Sequence, residues 1–484
     1  MKGTFLSSVL FCLLLSACCS HTPVGSIQDV DKRAEKLKKE ILSTKDEIKI
    51  PGTSYYVSSS MGSDENDGLS PQRPIKTLDK ANSLDLLPGD GVLFLRGDVF
   101  RGHVKARKGC TYAAYGKGEK PRIYGSPFDA AKQGSWTLTA RENVWVYSKP
   151  LFNDVGTLVM DSTITAMKVM MNKKENGSTV HIETGRPFFS YMDLDRDLDF
   201  YHDYKESGNI YLCSTKGNPA DRFSSIEVLE KGNVVAGADD VRVDNLAIMY
   251  GGSHGVGSGT ITSMEVTNCV FGWIGGSILG EGLYGRGHPT RFGNAIEVYG
   301  GCGHYLVENC WIYQIYDTGI THQYSSSDDL DIIQRDITYR GNLVEDCTWL
   351  LEYYLAKGTK DSAIRYIGNV LYEDNILRRA GQGWGCQRPD HGVASAIQSW
   401  GDWNKAEHFI IRNNIFDRSL DHLVDLGAAQ AEWIPTLSGN TFIQKRLSKG
   451  AKMGVPYTSF PFDETFAENI KSILGEDSGT FIFE

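Results

Sequence analysis

The stretch that decides the fold is YLVENCWI, residues 305–312, because its pattern returns throughout the second half of the chain. In each copy a short apolar strand ends at an asparagine, and an apolar-x-apolar triplet follows. The copies are VRVDNLAI (241–248), MEVTNCVF (264–271), YLVENCWI (305–312), ITYRGNLV (337–344), LYEDNILR (371–378), FIIRNNIF (409–416) and PTLSGNTF (435–442). Their asparagines are Asn245, Asn268, Asn309, Asn342, Asn375, Asn414 and Asn440. A unit of about two dozen residues with variable loops predicts a solenoid of stacked coils.

The fold class that this repeat predicts is all-β, a right-handed parallel β-helix. Each coil would add short strands to parallel sheets at a spacing of about 4.8 Å. Asparagines at a tight turn would then form side-chain ladders between coils. A β-propeller needs four strands in each blade of a longer, more regular unit, and a leucine-rich repeat needs its own leucine spacing. Neither alternative agrees with the sequence.

The remaining chain is organised around this repeat. We divide it into a signal peptide (1–18), a tether and short helix (19–52), the start of the β-helix (53–125), a β-rich insertion (126–235), the β-helix core with its cleft (236–445) and a C-terminal cap (446–484).

The first residues predict export and a lipid anchor. Lys2 precedes a short apolar run, residues 5–15, which is too short to span a bilayer as a mature helix. Leu15-Ser16-Ala17-Cys18 resembles a bacterial lipobox, in which Cys18 carries the lipid (palmitate). An ordinary secretory signal peptide is the alternative. We therefore expect a lipoprotein of the bacterial cell envelope, on its periplasmic face or outer surface, that contacts the membrane only through this anchor.

The net charge limits the classes of binding partner, and the cysteine spacing limits the possible metal sites. The formal net charge is −10 with mixed signs along the chain, which argues against nucleic acid as a partner. A local basic cleft for a polyanionic glycan stays possible, and we expect a monomer. Cys269 and Cys310 follow equivalent asparagines, which predicts small stacked core residues and mostly free thiols. No cysteine pair has zinc-site spacing, so no metal ligands are predicted.

A second set of strands predicts a column of polar side chains. The segments NAIEVYG, TGITHQY, WLLEYYL, SAIQSWG and HLVDLGA align on the inward residues Ile296, Ile320, Leu351, Ile397 and Val424. By the two-residue period of a strand, the next residue of each points outward. Those residues are Glu297, Thr321, Glu352, Gln398 and Asp425. Two positions further lie aromatic residues that suit sugar stacking, among them Tyr299, Tyr354 and Trp400.

Two long loops precede this face, and they carry polar groups suited to recognising hydroxyls and carboxylates. The loops are residues 280–292 and 381–392, with Arg286, His288, Arg291, Arg388, Asp390 and His391. The predicted substrate-binding residues are Arg286, His288, Arg291, His322, Tyr353, Arg388, His391, Gln398, Trp400 and Asp425. Outward residues of any solvated sheet are polar, so a purely structural explanation stays open. His322 has the inward parity of Ile320, and a strand-end bulge would be needed to turn it outward.

Paired carboxyl groups are the chemistry that this face suggests. Glycoside hydrolysis uses two of them across the scissile bond, close together in retaining enzymes and further apart in inverting ones. Glu297 and Glu352 lie two coils apart, about 9.5 Å between backbones. Asp317, on the turn before Thr321, would lie nearer to Glu352. The sequence leaves the stereochemical route open.

A resemblance to known families also indicates glycoside hydrolysis. The segment YYVSSSMGSDENDGLSPQRPIKTLDKAN (55–82) resembles the opening of bacterial pectin-lyase-like proteins. GNAIEVYGG, IYDTGITHQ and NLVEDCTWLLEYY resemble coils of the β-helix glycoside hydrolases that include α-L-fucosidases and xylanases. The resemblance covers most of residues 53–445 and implies acidic catalytic residues in the cleft. It makes Glu352 one catalytic carboxyl and Asp317 the other, with Glu297 as a substitute for either.

Two other functions remain open at this stage. A polysaccharide lyase would use Lys or Arg as the base next to a uronic carboxylate, often with Ca²⁺, which SSSDDLD (325–331) could hold. No Lys falls on the acid column, which disfavours a lyase, and the clustered motifs of polygalacturonases are missing. The third possibility is a non-catalytic glycan-binding lipoprotein. For the hydrolase no cofactor is expected, and the predicted partner is a polysaccharide or oligosaccharide.

Overall fold

The computed structural model describes residues 24–45, 48–173, 179–181, 184–283, 288–360, 362–388, 393–400 and 404–484. The predicted signal peptide with Cys18, and the loop residues Arg286, Asp390 and His391, lie outside the described residues.

Three sheets wind around one axis, because each coil supplies one strand to each sheet in turn. Within the described residues each sheet contains ten strands. Sheet A consists of Ser54–Val57, Gly91–Leu95, Thr111–Tyr115, Val241–Asp244, Met264–Thr267, Tyr305–Glu308, Ile332–Arg340, Arg365–Glu373, Ala406–Arg412 and Thr436–Ser438. Sheet B consists of Val99–Arg101, Arg122–Tyr124, Ala247–Met249, Val270–Ile274, Trp311–Ile315, Leu343–Glu345, Ile376–Ala380, Ile415–Ser419, Thr441–Gln444 and Thr480–Phe483. Sheet C consists of Val104–Lys105, Val235–Ala236, Val256–Ser258, Ile296–Tyr299, Thr318–Tyr324, Trp349–Leu355, Ser395–Ser399, His422–Leu426, Lys449–Met453 and Thr458–Pro461.

The pairing inside the sheets confirms the parallel β-helix. Neighbouring strands run parallel throughout, apart from the last two strands of sheet C. Alternate residues of all three sheets point inward and form one continuous apolar core. Because every coil buries its apolar side chains against the next, the stack and not the single coil is the stable unit.

The asparagine ladder exists, but its members belong to two classes that the sequence alignment merges. Asn245, Asn268 and Asn309 adopt positive φ at the turn between sheets A and B. From Asn342 onward the residue before each asparagine adopts the positive φ. The asparagine therefore occupies the next position of the turn, where its side chain is buried. The buried asparagines Asn342, Asn375, Asn414 and Asn440 donate side-chain hydrogen bonds of 2.7–3.1 Å along the stack, the last to Glu476. This shift puts an amide where the earlier coils place an apolar side chain.

The cysteines pack as the sequence predicts. Cys269 and Cys310 continue the buried column of the later asparagines, and Cys310 Sγ accepts a hydrogen bond from Cys269 N at 3.4 Å. The backbone N–H of Cys310 donates to Asn342 Oδ1 at 2.9 Å. All cysteines of the described part of the chain are free thiols.

The longer insertions leave the coil at one corner, the turn from sheet B to sheet C. The first, between Arg122–Tyr124 and Val235–Ala236, contains helix Pro219–Arg222, the 3₁₀ turn Tyr191–Asp193 and smaller sheets. The strands of those sheets are Trp136–Leu138, Val144–Tyr147, Val155–Met160, Ile164–Thr165, Met167–Lys168, Met171–Lys173, Thr179–His181, Asp199–Asp203, Asn209–Cys213 and Ile226–Glu230. The hairpin of Ser277–Gly280 and Thr290–Phe292 and the 3₁₀ turn Trp384–Gln387 occupy the same corner in later coils. Together these segments form a wall beside sheet C.

Helices cover the outside and the end of the solenoid. Helix Ile27–Ser43 begins at the N-cap Ser26, and its buried face packs on the outer face of sheet B, so this segment is docked on the β-helix. The short helix Leu78–Asn82 lies in the first coils, and Phe466–Leu474 packs its apolar face on the last coils. The 3₁₀ turn Ala431–Trp433 contacts strand Ala406–Arg412. In the part of the chain that the structure describes, no helix combines the length and apolarity needed to cross a membrane.

Candidate active site

The strand register places the polar residues of sheet C in one column. Glu297 pairs with Thr321, Thr321 with Glu352, Glu352 with Gln398, and Gln398 with Asp425. The next partner of Asp425 is Lys452. The alignment of five segments missed this sixth coil, so the statement that no lysine falls on the column is corrected.

The corner before sheet C adds a second row of side chains to the face. In each coil two consecutive residues point into the core, for example Leu350 and Leu351, so the residue before them points outward again. This row contains His254, Asn294, Thr318, Trp349, Ser395 and His422. Several of these residues donate to the acid column, either within their own coil or to the next coil. Asn294 donates to Glu297, Thr318 to Glu352 at 3.2 Å, and Ser395 to Gln398 at 2.8 Å.

Glu352 occupies the centre of the face. Its side chain accepts hydrogen bonds from Thr318 Oγ1 at one oxygen and from Trp400 Nε1 at the other. Glu352 is only 4% exposed. Burial raises its pKa to about 7, and the nearby charge of Asp317 acts in the same direction. No cation within the described residues forms an ion pair with Glu352, so a proton is the means of neutralising this carboxyl near neutral pH.

Asp317 stands at the start of the adjacent coil and has the opposite kind of environment. Arg388 Nη1 donates to Asp317 Oδ1 at 2.8 Å. The guanidinium lies 4.6 Å from the ring centre of Trp349 and 5.4 Å from that of Tyr316. The Asp317 side chain keeps 18% exposure, whereas Arg388 keeps 5%. Asp317 is therefore a compensated, solvent-reachable carboxylate beside the uncompensated Glu352.

Glu297 forms a third acidic position one coil below. It accepts from Asn294 and from Gln323 Nε2 at 3.2 Å, and His254 Nδ1 lies 3.5 Å from Oε2. The same Nδ1 accepts the backbone N–H of Asn294 at 3.1 Å. Glu297 is therefore held by two side-chain amides, with the His254 ring beside them.

The upper end of the column contains Asp425. Burial raises the pKa of Asp425 to about 6, although Lys452 lowers it. Asp425 Oδ1 is buried without a hydrogen-bond partner. Below it Gln398 uses both ends of its amide, accepting from Ser395 and donating to the carbonyl of Ser399 at 2.7 Å. Gln398 thus spaces the two buried carboxyl groups, Glu352 and Asp425.

Trp400 contacts Glu352 of the carboxyl pair, and Trp349 packs under Arg388, the partner of Asp317. Their rings meet edge to face with 4.9 Å between centres. Trp400 also donates to Glu352, so one indole ring both orients the carboxyl and borders the face. At the other end of the column Tyr299 packs on Tyr324 with 5.2 Å between centres. These rings are suited to packing against the apolar faces of sugar rings.

The wall is fastened to the β-helix by buried polar contacts. Arg291 donates to the carbonyls of Gly276 and Gly156 at 2.6 and 2.9 Å, which ties the hairpin to the insertion. Inside the insertion Lys168 and Asp154 form a buried ion pair at 2.6 Å, and Asp154 accepts the N–H of Ile278. Arg291 is 3% exposed and acts in the wall, not on the face. His288 lies in the same hairpin, with Nδ1 2.9 Å from the carbonyl oxygen of Pro289.

Two predicted substrate-binding residues lie in the core, and we correct their assignment. His322 is fully buried between Gln334, at 2.9 Å from Nδ1, and Tyr372, at 3.0 Å from Nε2. Burial lowers its pKa to about 4, so the ring is neutral at physiological pH. Tyr353 is also fully buried and packs edge to face on Phe409. Both have inward parity, and no bulge turns them outward.

The acidic side chains of the turn at residues 325–331 form ion pairs and hydrogen bonds with other residues of the protein. Asp328 forms an ion pair with Arg365 at 2.6 Å, and Asp329 pairs with Lys360. Asp331 accepts the N–H of Ile364 at 2.8 Å. Within the described residues no group of three or more His, Cys, Asp or Glu side chains is arranged for a metal ion. These carboxylates connect two neighbouring loops.

Several site residues could not be read from the sequence pattern. Asn294, Thr318 and Trp349 were missed because strict two-residue alternation assigns them to the interior. The recurring small or apolar pair after them, such as Ala295-Ile296 or Gly319-Ile320, is the pattern that marks the corner. His254 was missed because its coil has Gly257 at the acid position.

These features define a parallel β-helix protein with a walled, acid-lined face. No family model matches the chain. Over 106 residues the chain is 39% identical to lacto-N-biosidase from Bifidobacterium longum subsp. longum. The match takes in 19% of this chain and 6% of that protein's length.

Solved structures with a similar course of the chain are distant. The complex of XylC with xylose aligns with a TM-score of 0.43 at 13% identity, covering 82% of this chain and 71% of that chain. Lacto-N-biosidase of glycoside hydrolase family 136 from Eubacterium ramulus aligns with a TM-score of 0.31 at 15% identity, covering 90% and 68%. The fold assignment rests on the strand pairing of this protein itself.

Proposed function

We propose that this protein is a glycoside hydrolase that cleaves a complex polysaccharide or oligosaccharide with the carboxyl pair Glu352 and Asp317. The observation that carries the proposal is the contrast within this pair. Burial and the neighbouring negative charge favour the protonated form of Glu352 near neutral pH, while Arg388 compensates Asp317. Two carboxyl groups in such different environments are the usual way to provide an acid and a base at one pH. The local similarity to lacto-N-biosidase supports the same class.

Glu352 acts as the general acid in this proposal. It donates its proton to the glycosidic oxygen while the bond from that oxygen to the anomeric carbon breaks. Trp400 and Thr318 hold both carboxyl oxygens, so the acid is oriented before substrate binds. After proton transfer the same two donors stabilise the carboxylate that has formed.

Asp317 is the second carboxyl. In a retaining reaction its carboxylate adds to the anomeric carbon, and water later hydrolyses the glycosyl ester. In an inverting reaction it takes a proton from the attacking water. The anomeric form of the first product, followed by proton NMR, distinguishes these routes. Glu297, held by amides one coil away, is assigned to substrate binding and is the substitute if Asp317 proves dispensable.

The carboxyl pair gives a direct experiment. Glu352→Gln and Asp317→Asn keep the size of each side chain and remove its acid–base function, so each is expected to lower hydrolysis by at least about 100-fold. Glu265→Gln is the matched control, because Glu265 lies on the outer face of sheet A. The substrate panel comprises pectic, xylan and fucosylated glycans, with product analysis. Full activity of both cleft variants, with native thermal unfolding, would overturn the assignment.

A polysaccharide lyase is the second candidate, and one observation favours it. Lys452 continues the acid column beside Asp425, and its ammonium group lies 4.2 Å from the ring centre of Tyr457. A lyase would use such a cation next to a uronic carboxylate. It would yield an unsaturated product that absorbs in the near ultraviolet, and Lys452→Met would abolish it. Any Ca²⁺ would have to arrive bound to the uronic-acid substrate. Otherwise it would have to displace Arg365 and Lys360 from the acids of the turn at residues 325–331.

We also propose that the mature protein is a monomer anchored in the bacterial cell envelope through lipid on Cys18. The lipobox resemblance of Leu15-Ser16-Ala17-Cys18 supports the lipid anchor. Metabolic labelling with a palmitate analogue tests it, because Cys18→Ser would lose the label and leave the membrane fraction. Labelling that survives the substitution would contradict the anchor.

A further inference from the structure

A second cavity lies on the outer face of sheet B, away from the acid column. Its volume is about 590 Å³, within the range of small-ligand sites. Three separate parts of the chain enclose it: helix Ile27–Ser43, the strands of sheet B, and the turn at Ser162 and Thr163 of the insertion. The insertion therefore borders both the cleft and this cavity.

Aromatic rings form part of the cavity lining. Trp311 and Tyr313 both point outward from one strand of sheet B and stack with 4.3 Å between ring centres and an angle of 18° between planes. Gly272 on the neighbouring strand leaves room for the Tyr313 ring, because a Cβ there would lie 2.5 Å from the Tyr313 ring carbon Cζ. Trp273 contributes a third ring. Such flat apolar surfaces pack well against the C–H faces of sugar rings.

The backbone at the edge of this cavity provides an independent observation. Six successive coils place a non-glycine residue with positive φ at the same position, where sheet B turns toward sheet C. These residues are Tyr250, Trp273, Gln314, Asp346, Arg379 and Arg418. Glycine adopts this conformation at the lowest cost, and large side chains adopt it at an energetic cost. Four of the six, from Trp273 to Arg379, line the cavity, so the costly positions carry the side chains that a ligand would meet.

The charges around the cavity compensate one another. Arg379 pairs with Asp346 at 2.7 Å and with Glu345 at 2.9 Å. Lys38 of the helix lies 4.0 Å from the ring centre of Trp311. Four carboxylates and three cations line the cavity, so its hydrogen-bonding groups surround aromatic rings with a slight excess of negative charge. This combination matches a neutral hydroxylated ligand better than an anionic one.

We propose that this cavity is a second carbohydrate-binding site, which holds a neutral oligosaccharide segment separately from the cleft. Sugar rings pack against the Trp311–Tyr313 pair, and Trp273, which is only 6% exposed, supports the cavity wall from behind. Asp346, Gln314 and the hydroxyl groups of Ser162 and Thr163 bond the sugar hydroxyls. The layer formed by Tyr316 and Trp384, where Trp384 donates to the Gln314 carbonyl at 2.7 Å, separates this site from Arg388 and Asp317 in the cleft. A chain bound here is held on the outside of the wall while the cleft stays free.

Isothermal titration calorimetry on the full-length Glu352→Gln protein tests the proposal, with xylotetraose, galactotetraose and chitotetraose as probes. Thr163→Trp places an indole in the cavity from an exposed turn, and Thr163→Ser is its matched control. At least one probe is expected to bind, with an affinity at least tenfold weaker in Thr163→Trp and within twofold of the parent in Thr163→Ser. Gln314→Ala, which leaves the turn unchanged, is expected to weaken the same probe.

The readout separates this site from the catalytic proposal. In the otherwise natural chain, Thr163→Trp is expected to leave kcat/KM for a short soluble substrate within twofold of the parent. A carbohydrate-binding protein without hydrolytic activity would still show the calorimetric result. Absence of binding for all three probes, or binding that Thr163→Trp leaves unchanged, would overturn the second site.

Discussion

Glu352 on sheet C and Glu373 on sheet A are both outward-facing glutamates that the neighbouring side chains bury, yet their environments differ. Glu373 stands between Arg340 and Arg412, each 2.6 Å from one of its oxygens. Glu352 accepts hydrogen bonds from an indole and a hydroxyl group, and its charged neighbour is the like-charged Asp317. The register of sheet A stacks Glu308, Arg340, Glu373 and Arg412 in one column of alternating acids and guanidinium groups. The column on sheet C has no such alternation.

This difference separates a structural carboxylate from a reactive one. Burial alone would raise the pKa of Glu373, but hydrogen bonds from Arg412 and Arg340 hold it below its usual value. Burial and Asp317 raise the pKa of Glu352 to about 7. Strand register brings acids into a column on either sheet, and the presence or absence of facing cations decides whether an acid can hold a proton at neutral pH.

The largest expected effect is the loss of hydrolysis in Glu352→Gln, because the acid that protonates the leaving group is gone. The expected loss is about 100- to 10,000-fold in kcat. Glu373→Gln, the same chemical change on the other sheet, is expected to leave kcat unchanged. Initial rates on the best substrate of the glycan panel check both. Equal effects of the two substitutions would contradict the distinction between the sheets.

The next effect concerns the cation opposite Asp317. Arg388→Met leaves the Asp317 carboxylate uncompensated in the cleft wall, and we expect kcat/KM to fall by about 10- to 100-fold through misplacement of the second carboxyl. Arg388→Lys is expected to recover part of the loss, since it restores the charge without the planar fork. Arg412→Met removes the corresponding guanidinium from Glu373 and serves as the control. Its kcat/KM should equal that of the parent.

The pH dependence is the third consequence. Glu352 acts only when protonated, so kcat/KM is expected to fall about tenfold per pH unit above pH 7. The pKa is raised from 4.5 in the unfolded chain to about 7 in the folded one. Folding is therefore favoured by this group below about pH 4.5, and the contribution is lost as pH rises to 7. Thermal unfolding at pH 8 should show Glu352→Gln to be more stable than the parent by roughly 2–3 kcal/mol. A lower stability of the variant at pH 8 would contradict the raised pKa.

The smallest effect is expected on sheet A. Glu373→Gln removes a carboxylate from between two arginines that are 44–46% exposed. It should lower the free energy of unfolding by about 1 kcal/mol. Urea unfolding at 0.1 M and 1 M salt measures the change, which should shrink at high salt because the ion pairs are screened. A loss that is independent of salt would point to packing instead of charge.

The sequence predicts the solenoid and the acid column well because both depend on short periods. An apolar strand, an asparagine turn and two-residue alternation are local patterns, and stacking multiplies them over many coils. Glu297, Glu352 and Asp425 could be aligned from their own coils alone. The same parity argument places His322 and Tyr353 in the core, so assigning them to substrate contradicted the pattern that located Glu352.

The remaining part of the site depends on corners and on distant contacts. Thr318 and Trp349 face outward because the two consecutive residues after each of them both point inward. A strict two-residue alternation cannot predict such a pair. The two asparagine classes differ by one residue of register at a turn, and both look alike in an alignment. The pairing of Arg388 with Asp317 joins residues 71 positions apart. No local pattern carries such contacts.

The protonation state of Glu352 is the most direct test of the account. Carbon-13 NMR of protein labelled at the glutamate side-chain carboxyl follows each titration, and Glu352→Gln assigns the resonance. We expect one glutamate to titrate near pH 7, and its midpoint to fall in Asp317→Asn because a like charge has been removed. If the Glu352 resonance titrates near pH 4.5, as an ordinary glutamate does, the carboxyl cannot serve as the acid and the proposed mechanism fails.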